Sequence, residues 1–169
     1  RHWTGVKNIF RYLHGIKDLG LFYQKNQDMT MVGYTDAGYL SDPHNARSQT
    51  GFVFLYGGTA FSWKSQKQTL VATSTNHSEI IALFEASKEC VWLRRMINHI
   101  QTLCGVGSLG SPTIIYEDNA ACVAQMQMGY IKSNITKHIS PKVFFPHELQ
   151  KDGEIDILQT KSCETTSIL

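Results

Sequence analysis

At the start of the chain the apolar positions Trp3, Val6, Ile9, Phe10 and Leu13 recur at three-and-four spacing, with Lys7, Asn8 and Arg11 between them. That period predicts an amphipathic helix over residues 3–14, closed by the glycines at 15 and 20. Residues 19–24 read as a short strand and 25–30 as a polar turn. From residue 31 the pattern becomes extended. Apolar and aromatic runs at 31–36, 51–56 and 59–64 predict three strands, the first two separated by a polar loop at 40–50 and the last two by the Gly57-Gly58 hairpin signal. Three strands joined by short links predict an antiparallel meander.

After a polar stretch at 64–68 the period changes again. Ser74 and Thr75 are natural N-caps, because their hydroxyls accept from the backbone N–H groups that a first helical turn leaves free. The helix they open runs to about residue 101, with Ile80, Leu83, Phe84, Cys90, Leu93, Met96, Ile97 and Ile100 as its buried stripe. Residues 112–116 form a short, nearly all-apolar run of the kind expected in a central strand covered on both faces. A short helix at 119–128, a polar loop at 132–137, a helix at 143–151 and a strand at 154–159 follow. Three strands, helix, strand, helices, strand is the order of an α/β fold with a sheet of mixed direction.

At 169 residues the chain can bury one full core, and its balance of 42% apolar and 18% charged residues is that of a folded protein. No apolar run approaches the ~20 residues of a membrane span, and no charged-then-apolar leader precedes the first helix. An intracellular protein with no membrane partner is expected. A net charge of +2 does not by itself announce a nucleic-acid partner. The cysteines at 90, 104, 122 and 163 form no Cys-x-x-Cys pair, which argues against zinc ribbons and redox motifs and for buried free thiols. The chain opens on Arg1 and stops on Ser167-Ile168-Leu169, so a piece of something longer is expected.

Three acids stand at the ends of predicted elements. Asp36 closes the first strand of the meander, Glu79 lies in the first two turns of the long helix, and Asp118 directly follows the short apolar strand. Taken singly they read as a turn residue, an acid favoured by the helix macrodipole and the N-cap of the next helix. Taken together, a strand end, a helix start and a second strand end can converge. Converging carboxylates suit Mg2+, which takes oxygen ligands and keeps several waters. Two such ions ~4 Å apart activate an attacking water and stabilise the leaving oxygen of a phosphodiester. In that reading Asp36 bridges both ions, and Glu79 and Asp118 each hold one.

The segments Tyr34-Thr35-Asp36-Ala37, Arg47-Ser48-Gln49-Thr50-Gly51-Phe52, Phe61-Ser62-Trp63-Lys64-Ser65-Gln66-Lys67-Gln68, Ala72-Thr73-Ser74-Thr75-Asn76-His77-Ser78-Glu79, Glu117-Asp118-Asn119 and Thr136-Lys137-His138-Ile139 occur in this order. In order and spacing they resemble the ribonuclease H domain of Ty1/copia-type retrotransposon polyproteins, over about residues 30–160. Residues 1–25 resemble the end of the reverse transcriptase region that precedes it. The resemblance implies a ribonuclease H-like α/β fold: a mixed five-stranded sheet, three antiparallel strands then two further strands, flanked by helices. It implies that residues 1–28 end a reverse transcriptase or connection segment, and that 29–169 are a ribonuclease H-like domain cut short at its C-terminus. The implied activity is metal-dependent endonucleolytic hydrolysis of the RNA strand of RNA/DNA hybrids during reverse transcription, with two Mg2+ ions and Mn2+ as substitute. The implied partners are the hybrid and the reverse transcriptase domain of the same polyprotein.

Asp36, Glu79 and Asp118 fall on three of that family's four catalytic acids. Arg47, Lys64, Lys67 and Asn119, at strand ends or in loops, are candidate contacts to phosphates and 2′-hydroxyls, with a solvated face as the alternative for the lysines. The fourth acid has no counterpart in residues 161–169, where there is no Asp and Glu164 is the one acid. That departure keeps a second reading open: a catalytically inactive binding module of the same fold, or a captured transposon fragment such as a secreted effector.

Overall fold

The computed structural model describes residues 2–24, 29–42, 44–129 and 139–160. Its elements are α1 (His2–Gly15), β1 (Met31–Asp42), β2 (Arg47–Tyr56), β3 (Thr59–Lys67), α2 (Thr75–Leu103), β4 (Thr113–Glu117), α3 (Ala120–Met128), α4 (Ser140–Lys151) and β5 (Ile155–Gln159). The strands form one sheet in the order β3-β2-β1-β4-β5. β1, β2 and β3 pair antiparallel, and β4 and β5 join parallel to β1. This is the mixed five-stranded sheet read from the sequence.

Two expected element assignments, at 19–24 and 40–50, fail. Residues 19–24 do not form a strand; they lie against the start of β3 through side-chain bonds, Tyr23 Oη donating to Ala60 O (2.9 Å) and Thr59 Oγ1 donating to Phe22 O (2.6 Å). The polar stretch at 40–50 is mostly ladder rather than loop, because β1 runs on to Asp42 and β2 begins at Arg47. Beyond Ala37 the side chains of β1 become exposed, so apolar alternation stops while backbone pairing continues. A register shift between Gly38 and Asp42 accompanies a left-handed backbone at Leu40 (φ 50°), the geometry of a bulge. At the other end, Gly57 and Gly58 turn the β2–β3 hairpin with φ of 57° and 77°, a conformation that glycine adopts without a Cβ penalty.

Alternation decides what each strand buries. Met31, Thr35 and Ala37 of β1, Phe52 and Phe54 of β2, Ile115 and Glu117 of β4, and Ile155 and Ile157 of β5 are all buried. With Ile80, Leu83, Cys90 and Leu93 of α2, Cys122 and Met126 of α3 and Val143 of α4, their apolar members make one continuous core. Gly33 belongs to this face because a Cβ there would come within 2.6 Å of the buried Phe54 ring. The alternate residues Val32, Tyr34, Ile114 and Tyr116 are only half-buried, with the rings of Tyr34 and Tyr116 stacked at 5.2 Å. β4 is therefore not covered equally on both faces, contrary to its apolar run: the described helices bury one side of it. Arg94 of α2 anchors the far end of the core, donating to Glu154 (3.0 Å), Ser111 O and Thr113 Oγ1 (both 2.9 Å).

α1 follows its predicted period, yet it buries none of its residues.

Candidate metal centre

Parallel pairing of β1 with β4 sets the first two acids side by side. Tyr34 is in register with Tyr116, so Asp36, within β1, and Asp118, one residue past the end of β4, each lie two residues beyond that pair. Glu79 comes from the other layer. Ser74 caps α2 in extended conformation (φ −159°), its Oγ accepting from His77 N–H at 3.2 Å, and this start places Glu79 in the second turn facing the strand ends. Carboxylate oxygens of Asp36, Glu79 and Asp118 all lie within 4.8 Å of one another. The three acids singled out in the sequence thus meet at one point.

Their electrostatics follow from crowding and burial. The Asp36 carboxyl is raised above its ordinary value by burial and then by the neighbouring Asp118 charge, against the lowering effect of the Ala37 N–H it accepts from. Glu79, 4% exposed, is pushed up to about 8 by burial, then by Asp36 and Asp118, although it also accepts from Ala37 N–H. Its Oε2 is buried without a hydrogen-bond partner. Such a cluster holds negative charge at a cost that a divalent cation removes. An all-oxygen donor set with room for water suits Mg2+ or Mn2+.

A further acid beside the cluster, Glu117, stands in a motif segment but carries no role from it. Glu117 is fully buried, and burial together with the Glu79 charge raises it to about 9. Its Oε1 accepts from Asn119 N–H at 3.1 Å, while Oε2 has no hydrogen-bond partner. The signal was present in the period of two along Thr113, Ile115 and Glu117, which puts this acid on the helix-covered face beside Ile115.

The candidate contact residues are more dispersed. Asn119, rather than Asp118, caps α3, its Oδ1 accepting from Ala121 and Cys122 N–H (both 3.0 Å). Lys67 pairs with Asp42 at 2.7 Å, and this ammonium together with Asn45 holds the Asp42 carboxyl down at about 2. Lys64 is exposed on β3, opposite Phe52. Arg47 is exposed opposite Asp42, six residues beyond Asp36 along β1, or roughly 20 Å at strand rise. Lys64, Lys67 and Arg47 line the outer edge of the sheet and the projecting hairpin rather than the acid cluster itself. Glu164 and the rest of 161–169, where a fourth acid was sought, lie outside the described residues.

No helix among the described residues is long and apolar enough to cross a membrane. No protein-family model matches the chain. The chain is 32% identical over 163 residues, 96% of its length, to the retrovirus-related Pol polyprotein from transposon TNT 1-94 of Nicotiana tabacum, of which it spans 12%. It is 39% identical over 92 residues to secreted RxLR effector protein 161 of Plasmopara viticola, covering 54% of this chain and 65% of that protein. In structure it is similar to a ribonuclease H1 solved in complex with an RNA/DNA hybrid, with a TM-score of 0.58 at 17% identity over 82% of this chain and 90% of that one. By sequence the chain is a homologue of the Pol polyproteins of copia-type transposons, and by structure it has the ribonuclease H fold.

Proposed function

We propose that this chain is a metal-dependent ribonuclease that hydrolyses the RNA strand of an RNA/DNA hybrid, with residues 29–169 as the nuclease domain and 1–28 as the end of a preceding reverse transcriptase or connection segment. The observation that carries the reading is the convergence of Asp36, Glu79 and Asp118 within 4.8 Å, from two strands and a helix. These carboxylates would hold Mg2+, with Mn2+ as substitute, and the bound ions would supply an activated water and charge stabilisation for the leaving oxygen.

The protein's own part is positional. Asp36 sits within β1, a strand paired on both sides, Glu79 on a capped helix, and Asp118 one residue past the end of β4, so two of the three are held by regular elements and the third directly follows one. Exposed Lys64 and Arg47, with Lys67 beside Asp42, give the sheet edge and hairpin a positive character suited to a phosphate backbone. A nuclease of this kind reads the shape of the hybrid and the 2′-hydroxyls of the RNA rather than its sequence. The boundary at 28 is supported by α1, which buries nothing against the rest of the fold. An intracellular setting, where a Pol polyprotein carries out reverse transcription, goes with this reading.

The test is substrate choice. The chain is incubated with end-labelled RNA/DNA hybrid, duplex RNA and duplex DNA, with Mg2+ and with chelator. Cleavage confined to the RNA strand of the hybrid and abolished by chelator is expected. Binding of the hybrid without cleavage under all conditions would instead support the inactive binding module.

A further inference from the structure

We infer that Gln68 is the positioning residue that fixes Glu79 against Asp36, an inference that rests on reading these acids as a metal centre. Gln68 directly follows β3 and is 2% exposed. Its backbone N–H donates to Ser48 O at 2.8 Å, which fixes where the side chain begins. Its Nε2 then donates to two acceptors in different layers: Thr50 Oγ1 of β2 at 3.1 Å and Ser78 O of α2 at 2.9 Å. Thr50 pairs across the ladder with Ala37, whose N–H donates to both Asp36 and Glu79. Ser78 immediately precedes Glu79. One amide nitrogen thus joins the strand that carries the shared donor to the helical turn that carries the third acid.

The helix cap at Ser74 sets where α2 starts, but Gln68 sets how far that turn stands from the sheet. Its Oε1 is buried without a hydrogen-bond partner. An unpaired buried carbonyl is destabilising, so an apolar side chain of similar length offsets much of what it loses in hydrogen bonds. The side chain is therefore better explained by the geometry it imposes than by the stability it adds. Groups that hold a metal ligand in place through hydrogen bonds characteristically change affinity by about 10–100-fold when removed.

The experiment is Mn2+ titration by calorimetry on the full chain, with melting temperature measured in chelator, for wild type, Gln68→Met, Thr50→Val, Leu93→Ala and Asp36→Asn. Gln68→Met is expected to weaken Mn2+ binding by about 10–100-fold and to shift melting only slightly. Thr50→Val, which removes one of the two acceptors, should weaken binding in the same direction by less, and it keeps the inference testable if Gln68→Met folds poorly. Leu93→Ala, a core truncation farther along α2, should lower melting while leaving Mn2+ affinity in place. Wild-type affinity in Gln68→Met and Thr50→Val, with loss in Asp36→Asn, would overturn the role of Gln68 and leave the metal centre standing. Wild-type affinity in Asp36→Asn as well would overturn the metal centre itself. An equal loss in Leu93→Ala would show general loosening and also overturn the role of Gln68.

Discussion

Replacing Glu117 by Gln removes a titratable group from a fully buried position while keeping the shape of the side chain. Its Oε1 accepts from Asn119 N–H, a bond that an amide oxygen retains, and its Oε2 has no hydrogen-bond partner to lose. Burial and the adjacent Glu79 raise this acid from its ordinary value of 4.5 to about 9, so between those limits the folded protein keeps a proton that the unfolded chain has released. With more protons bound in the native state, stability is complete below the unfolded value and falls as pH rises towards the folded one. At ~1.4 kcal/mol per pH unit, the wild type loses about 4 kcal/mol between pH 5 and pH 8 through this residue, and the variant loses none of that share. Urea denaturation in chelator at the two pH values measures it. Glu117→Gln should gain roughly 2–4 kcal/mol over wild type at pH 8 and under about 1 kcal/mol at pH 5. An equal difference at both values, or a variant less stable than wild type at pH 8, would refute the reasoning.

Three further outcomes test other parts of the structure. Arg94→Met removes bonds to Glu154, Ser111 O and Thr113 Oγ1 far from the acids; it should cost about 2–4 kcal/mol of stability with Mn2+ affinity unchanged by calorimetry. Removing residues 1–18 takes away a helix with no buried residue; melting should move by less than about 2 °C, since ~1 kcal/mol corresponds to a few degrees at this size, and a larger fall would make α1 part of the domain. Saturating Mg2+ at about 100 times its dissociation constant should stabilise the wild type by roughly 2.7 kcal/mol, measured by thermal melting, and should leave Asp36→Asn unmoved.

Much of the fold could be read in the sequence because its signals were of the strong kinds. The change from period two in the strands to three-and-four spacing in α2, the Gly57-Gly58 turn and the Ser74 cap each have a local cause, and the observed elements follow them closely. Where the reading failed, the cause was not local. The stretch at 40–50 reads as loop because it is polar, yet backbone pairing does not need apolar side chains, and β1 and β2 run through most of it. Residues 19–24 carry strand-forming residues but meet β3 through the side chains of Tyr23 and Thr59 rather than through a backbone ladder.

The site divides in the same way. Glu79 and Asp118 could be found from their places at a helix start and a strand end, whereas Asp36 reads as a strand end although β1 runs on to Asp42; the register of Tyr34 with Tyr116 explains why Asp36 and Asp118 meet. Glu117 was overshadowed by its neighbour Asp118, although strand alternation put it on the buried face. Gln68 closes one of the segments that carry the resemblance, but nothing in the sequence assigns it a role. Its importance comes from Thr50 and Ser78, residues 18 and 10 positions away in the chain that only the folded sheet and helix bring to it. Lys67 reads in sequence as a cation open to substrate, and the structure sets it against Asp42.

The central claim is that Asp36, Glu79 and Asp118 act together as a metal centre for RNA hydrolysis. The most direct test is the single-turnover rate of RNA cleavage in an end-labelled RNA/DNA hybrid, compared between wild type and Asp36→Asn at saturating Mg2+. Removing one of the three carboxylates that would hold the metal should forfeit several kcal/mol of transition-state stabilisation, so the rate should fall by at least about 100-fold while melting temperature in chelator does not fall. Cleavage by Asp36→Asn at the wild-type rate would contradict the account.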